Sequence, residues 1–120
     1  MVNLDTHVLL YALTGDLRED ERALLSSQRW GISASVLWEL AALAKRGRIE
    51  IDLRSAEFRR LLGQLTIWPV DVRVAATSAE LDFEADPADE LIAATSVVHR
   101  VPLVTRDRKM LASEVVPLAG

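Results

Sequence analysis

Cysteine is absent from the 120 residues. That absence excludes disulfide scaffolds, Cys-based zinc fingers, iron–sulfur clusters and thiol catalysis. Long apolar runs are missing too: none approaches the ~20 residues needed to cross a bilayer. The segment Met1–Leu13 has no basic stretch ahead of its apolar part, and Asp5 stands just before that part, so it does not read as a signal peptide. A cytoplasmic protein without a membrane partner is the expectation. Glycine (5) and proline (4) are sparse and fall singly, as punctuation within one domain spanning 1–120. Positive charge is also short, with 14 Lys and Arg against 18 Asp and Glu and a net charge of −4. This argues against a protein that wraps duplex DNA through a basic surface. Nucleic acid stays open, because a metal-dependent nuclease concentrates acidic residues in its site.

What the chain does have is apolar material, half of its residues, enough for a domain of this length to bury a core without a disulfide or structural metal. Strand candidates lie at Met1–Leu4, Trp30–Ser33, Thr66–Val70, Pro102–Thr105 and Glu114–Leu118. Helix candidates lie at Thr6–Leu13, Asp16–Ser27, Ser35–Arg46, Ser55–Leu65, Val72–Leu81 and from Asp86 to about Arg100, with a helical turn at Asp107–Leu111. Leu17, Leu24 and Leu25 form the apolar side of the second helix, and Phe58, Leu61, Leu62 and Leu65 recur at helical spacing in the fourth. Asp71 is placed to cap a helix, and Asp86 followed by Pro87 is an N-cap with proline at the first helical position. Short strands alternating with helices predict an α/β fold with a parallel sheet covered on both faces. In such sheets ligands sit beyond the carboxyl ends of the strands.

Two acids fall where that rule points. Asp5 follows the first strand, and Asp107 follows the strand ending at Thr105. Asp89 lies in the first turn of the helix opened by Asp86-Pro87. Taken singly, these three are better explained as caps and first-turn acids. Glu39 differs. On the helical wheel it borders the arc of Val36, Leu40 and Leu43, where an unpaired carboxylate costs several kcal/mol or takes up a proton. It needs a cation, either an Arg or a metal. Four carboxylates gathered at the tops of packed elements repel one another, and a divalent ion removes the conflict. Hard oxygen ligands select Mg²⁺ or Mn²⁺, and such sites support in-line phosphoryl displacement.

The segments LDTHVLLYAL (Leu4–Leu13), SASVLWELAALAKRGRIEI (Ser33–Ile51), DPADELIAATS (Asp86–Ser96) and LVTRDRKM (Leu103–Met110) together resemble the PIN-domain ribonucleases, most closely toxins of the VapBC type. Each motif is weak alone, but four in order across the chain are specific. The resemblance implies a three-layer α/β/α sandwich with a short, mostly parallel sheet. It puts the acidic quartet on Asp5, Glu39, Asp89 and Asp107, with a small hydroxyl at Thr105. It implies a Mg²⁺-dependent (or Mn²⁺-dependent) endoribonuclease and a homodimer, neutralised by a cognate antitoxin protein that itself binds operator DNA. Many relatives carry Arg after the third acid; Glu90 stands here instead, which removes a positive charge but no ligand.

On this reading Asp5, Asp89 and Asp107 ligate metal, Glu39 ligates or orients water, and Thr105 hydrogen-bonds a ligand carboxylate or a water. Arg106, Arg108 and Lys109 either contact phosphates or form a solvated turn, with equal weight. His7 and His99 read as surface or packing residues. Tyr11, Trp30, Trp38 and Trp68 read as core or interface anchors rather than base-stacking platforms. Trp38 lies opposite the buried arc of its helix, which points to a second covered face against a dimer mate or the antitoxin. Leu9, Leu10, Leu24 and Leu25 are candidate walls of a groove for an antitoxin helix. The competing classes are an RNA-binding regulatory domain with little or no catalysis and a phosphotransfer domain. The second ranks low, since His7 stands where a dehalogenase-like phosphatase needs an acid.

Overall fold

The computed structural model describes residues 1–120. Four strands form one sheet: β1 (Val2–Leu4), β2 (Trp30–Ser33), β3 (Thr66–Trp68) and β4 (Leu103–Val104), in the order β3-β2-β1-β4, all parallel. Seven helices alternate with them: α1 (Thr6–Thr14), α2 (Glu19–Ser26), α3 (Ala34–Lys45), α4 (Ala56–Leu62), α5 (Val72–Ser78), α6 (Pro87–His99) and α7 (Arg108–Leu111). Side chains alternate between the two faces of a strand. All three residues of β1 and Gly31, Ile32 and Ser33 of β2 are buried, so both faces of the sheet are covered, as a three-layer arrangement requires. The main core gathers Leu4, Leu9, Ile32, Leu40, Ile92, Leu103 and Met110, each fully buried. No helix is long and apolar enough to cross a membrane.

The helix ends follow local chemistry. Asp5, Ser33, Ser55, Asp71 and Asp107 each accept a backbone N–H in the first turn of the helix they precede. α2 starts at Glu19 rather than Asp16, because Glu21 Oε1 accepts the Arg18 N–H at 2.7 Å and sets the cap there. α4 stops at Leu62 before Gly63 instead of reaching Leu65. α5 ends at Ser78 rather than Leu81, and β3 ends at Trp68, before Pro69. The expected strand at Glu114–Leu118 is reduced to a single bridge between Leu118 and Leu103. The Ser113 hydroxyl takes the N–H groups of Val115 and Val116, and Pro117 has none to give, so the segment cannot extend the ladder.

Two devices set the position of the later elements on β1 and β2. Gly31 lies under the Trp68 ring, and a Cβ there would overlap the indole. Trp68 in turn stacks on His99 of α6 at 5.5 Å. Gly31→Ala is therefore expected to destabilise the protein by about 1–3 kcal/mol through overpacking, read as a lower midpoint in urea. The second device is Asn3, fully buried in β1. Its Nδ2 donates to the Ile92 carbonyl at 3.1 Å and to Ser96 Oγ at 2.9 Å, both on α6. Ala93 and Ala94, also fully buried, keep α6 thin enough to lie this close to the sheet.

Candidate active site

β1 sits between β2 and β4. The chain runs outward from β1 to β2 and β3, then returns to β4 on β1's other side. A crevice opens at such a reversal, beyond the carboxyl ends of the strands. Here it is a cavity of about 250 Å³ lined by Asp5, His7, Val8, Tyr11, Glu39, Asp86, Asp89, Arg106 and Asp107. Four acids expected from the sequence meet in it, delivered by four different elements. Asp5 follows β1 as the N-cap of α1, Glu39 comes from the middle of α3, Asp89 from the first turn of α6, and Asp107 from the turn after β4.

The carboxylates are held rather than loose. Asp5 is buried, and its Oδ1 accepts the Thr6 N–H at 2.8 Å while its Oδ2 accepts the Thr105 hydroxyl at 2.7 Å. Thr105 Oγ1 also accepts the Asp107 N–H at 3.0 Å, so one hydroxyl ties two of the acids together. Asp107 Oδ1 caps α7 through the N–H groups of Lys109 and Met110. Glu39 is half-buried and accepts a short hydrogen bond from the Thr6 hydroxyl, 2.5 Å. Asp5 thus acts both as a helix cap and as a cavity wall, and so does Asp107.

Electrostatics record the crowding. Burial pushes the Asp5 carboxyl up, against the pull of its Thr105 and Thr6 hydrogen bonds. Burial and then the Asp5 charge push Glu39 up, with Thr6 opposing. Asp89 accepts no such bond and is pushed up to about 7, first by burial and then by Asp5, Glu39, Asp107 and Asp86. A carboxylate this reluctant to ionise is the mark of a site lacking its counter-charge. Arg does not supply it to Glu39: the protein's one ion pair is Arg106 with Glu21, outside the acidic group.

Several residues differ from the sequence expectation. Asp86 occupies the N-cap position of α6, but its side chain makes no capping bond and instead joins the cavity wall as a fifth carboxylate. Arg106 lines the cavity, yet its guanidinium is committed to Glu21. Arg108 and Lys109 are exposed on α7 and lie off the cavity, Lys109 donating to the Glu84 carbonyl. Leu9 and Leu25 are core residues and leave no free groove wall; Leu10 and Leu24 are partly buried against that core. Trp68 is buried and Trp30 half-buried, its Nε1 donating to the Leu25 carbonyl. Trp38 is 66% exposed. Glu90 lies off the cavity and accepts the Ala85 N–H at 3.4 Å. Sequence reasoning missed Thr6 and Asn3. The signal for Asn3 was available: a lone amide between Val2 and Leu4 in a short apolar strand demands a buried partner.

The donor set fits a hard divalent cation. All its ligating atoms are carboxylate oxygens, three of the acids are oriented by hydrogen bonds from behind, and the excess negative charge has no protein counter-ion. As placed, no three of these acidic side chains stand close enough together to hold a metal ion between them.

Comparison with known proteins agrees with the fold. Residues 2–114 match the PIN domain model. The chain is 31% identical over 115 residues to Ribonuclease VapC22 of Mycobacterium tuberculosis, covering 91% of this chain and 88% of that protein. Among solved structures, FitAB bound to an IR36 DNA fragment superposes with a TM-score of 0.74 at 27% identity, covering 98% of this chain and 94% of that one. VapBC2 from Rickettsia felis, bound to a DNA fragment from its promoter, superposes with a TM-score of 0.69 at 19% identity, covering 99% and 98%. The parallel four-stranded sheet, the converging acids and the match over nearly the whole length establish that the chain belongs to the PIN-domain family, among its VapC-type members.

Proposed function

We propose that the protein is a divalent-metal-dependent endoribonuclease and the toxin of a toxin–antitoxin pair. The observation that carries this reading is the gathering of Asp5, Glu39, Asp89 and Asp107, from four elements, around one cavity whose single arginine is paired with Glu21 outside it. Asp5, Asp89 and Asp107 would hold Mg²⁺ or Mn²⁺ directly or through water, with Glu39 as a further ligand or the orienter of the attacking water. When bound, such an ion polarises the phosphodiester, acidifies a water and offsets charge on the displaced oxygen. Thr105 and Thr6 aim the carboxylates and offset part of the upward push that burial gives Asp5 and Glu39. The ordered rows of hydrogen bonds behind Asp5, Glu39 and Asp107 fix the ligand geometry before substrate arrives, which is how a rigid site lowers a barrier.

Partners follow from the surface. Exposed Trp38, beside Ala41, Ala42, Lys45 and Arg46, is a large aromatic with nothing of its own chain to cover it. It suits burial against a second copy or an antitoxin. FitAB, 27% identical, is found bound to a DNA fragment, and together with the resemblance to VapBC-type toxins this supports a cognate antitoxin that carries the contact to operator DNA. RNA is the substrate.

The deciding experiment is cleavage of total RNA by antitoxin-free protein with Mg²⁺, Mn²⁺ or EDTA. Discrete fragments are expected with either metal and none with EDTA. Folded protein that binds RNA but never cuts it would support the regulatory reading instead. Thr105→Val keeps the shape of the side chain but removes the hydroxyl shared by Asp5 and the Asp107 N–H. It should raise the Mg²⁺ concentration for half-maximal cleavage by about 10–100-fold, the usual cost of losing a residue that orients a ligand.

A further inference from the structure

Arg106 is the only Lys or Arg on the wall of the acidic cavity, where five carboxylates face it. None of them pairs with it. Its Nε donates to Glu21 Oε2 at 2.8 Å and its Nη2 to Glu21 Oε1 at 2.6 Å, a two-pronged contact with a carboxylate from α2 that lies outside the cavity. The same Nη2 reaches the Asp16 carbonyl at 3.2 Å, and the guanidinium carbon lies 4.0 Å over the centre of the Tyr11 ring. Among all 14 basic side chains this is the protein's only ion pair. Glu21 is itself buried and is bound by Arg18 N–H as well, so it does not wander. Its carboxyl, held down to about 2 chiefly by Arg106, stays ionised throughout the neutral range.

An arginine placed between Thr105 and Asp107, with five acids beside it, has an obvious alternative: to fold inward and act as a tethered counter-ion. Planar, bidentate pairing and stacking on an aromatic face are what guanidinium prefers; Glu21, outside the cavity, provides the first, and Tyr11, on the cavity wall, the second. The geometry points to Glu21 as a positioning residue that, by holding Arg106 against Tyr11, keeps the cavity's one guanidinium out of the carboxylate group and leaves that group open to a divalent cation. This rests on the metal-site reading above.

The test is direct Mn²⁺ binding by calorimetry and by the loss of the free-ion EPR signal, in the absence of RNA. The proteins are wild type, Glu21→Ala, Arg106→Ala and the double variant, with Asp89→Asn marking the site. Glu21→Ala frees Arg106 and should weaken Mn²⁺ binding about tenfold or more, within the range for losing a residue behind a metal site. Arg106→Ala alone should bind at least as tightly as wild type, and the double variant should return to within about threefold of it. Equal binding by Glu21→Ala and wild type overturns the inference. So does a double variant as weak as Glu21→Ala, which would mean that Glu21 serves only to build α2. Should Glu21→Ala not fold, Glu21→Gln keeps an acceptor for the Arg18 N–H and carries the same comparison. Wild type that binds no Mn²⁺, or binds it undiminished in Asp89→Asn, defeats the metal-site reading itself, a result distinct from the others.

Discussion

Asp89→Asn is expected to abolish RNA cleavage while making the metal-free protein more heat-stable at pH 8. On the function proposed above, the activity loss follows from removing an ionisable ligand and should be at least about 100-fold, since residues merely orienting a ligand already cost about 10–100-fold. The stability gain follows from the Asp89 carboxyl being pushed up to about 7 by burial and by its four acidic neighbours. In the unfolded chain that group ionises near pH 4. Between about pH 4 and pH 7 the folded protein therefore holds a proton the unfolded chain has released. The stability contributed by this proton is complete below pH 4 and is lost as the pH rises to 7. Asn carries no titrating proton and escapes the loss. One pKa unit corresponds to about 1.4 kcal/mol. Solvent at the open cavity screens the full shift to about 1–2 kcal/mol, roughly 3–8 °C in melting temperature for a chain of this length. Mg²⁺ should reproduce the effect in wild type at pH 8 and do little for the variant. Melting curves at pH 5 and pH 8, with and without Mg²⁺, give the answer. A variant less stable than wild type at pH 8 without metal would show that Asp89 is not under the charge stress described.

Asn3→Ala is expected to cost about 2–4 kcal/mol of stability and, in addition, to weaken Mg²⁺ binding by protein that remains folded. Two buried hydrogen bonds to α6 disappear, Ser96 Oγ loses a donor it cannot replace with water, and a small void opens under β1. The effect on metal binding comes from the register of α6. Ile92 lies three residues, less than one helical turn, beyond Asp89, so the amide that anchors Ile92 to β1 also sets how far Asp89 stands from Asp5. Urea denaturation reports the first effect and Mg²⁺-dependent melting at a urea-free pH 8 the second. A variant as stable as wild type would mean that the orphaned Oδ1 of Asn3, which has no partner, already cancels what Nδ2 gains.

The acidic set was legible because its members sit at positions dictated by strand ends and helix starts. Asp5 follows β1 directly, Asp107 comes three residues after the end of β4, and Asp89 lies in the first turn after a proline-marked cap. Glu39 was legible for a different reason: a carboxylate bordering an apolar arc has to be explained by something outside its own helix. The parallel, doubly covered sheet likewise followed from alternation of short apolar strands with amphipathic helices, since that order leaves few other ways to bury both faces.

Tertiary structure alone decided who neutralises whom. Arg106 stands next to Asp107 in sequence, yet its partner is Glu21, 85 residues earlier, because two turns that are distant along the chain meet at the cavity rim. Asp86 reads locally as a cap and becomes a cavity wall. Thr6 reads as the first residue of a helix and supplies the hydroxyl that holds Glu39. The last segment reads as a strand and pairs at one residue, because Ser113 and Pro117 withdraw its donors. Hydrophobic period and capping chemistry are local, carried by neighbours within one turn or one strand, so the chain by itself determined most of the elements, the fold class and four of the five acids that line the cavity. Hydrogen-bond partnership and charge pairing depend on distances between side chains of remote elements, and those exist only once the helices have packed on the sheet.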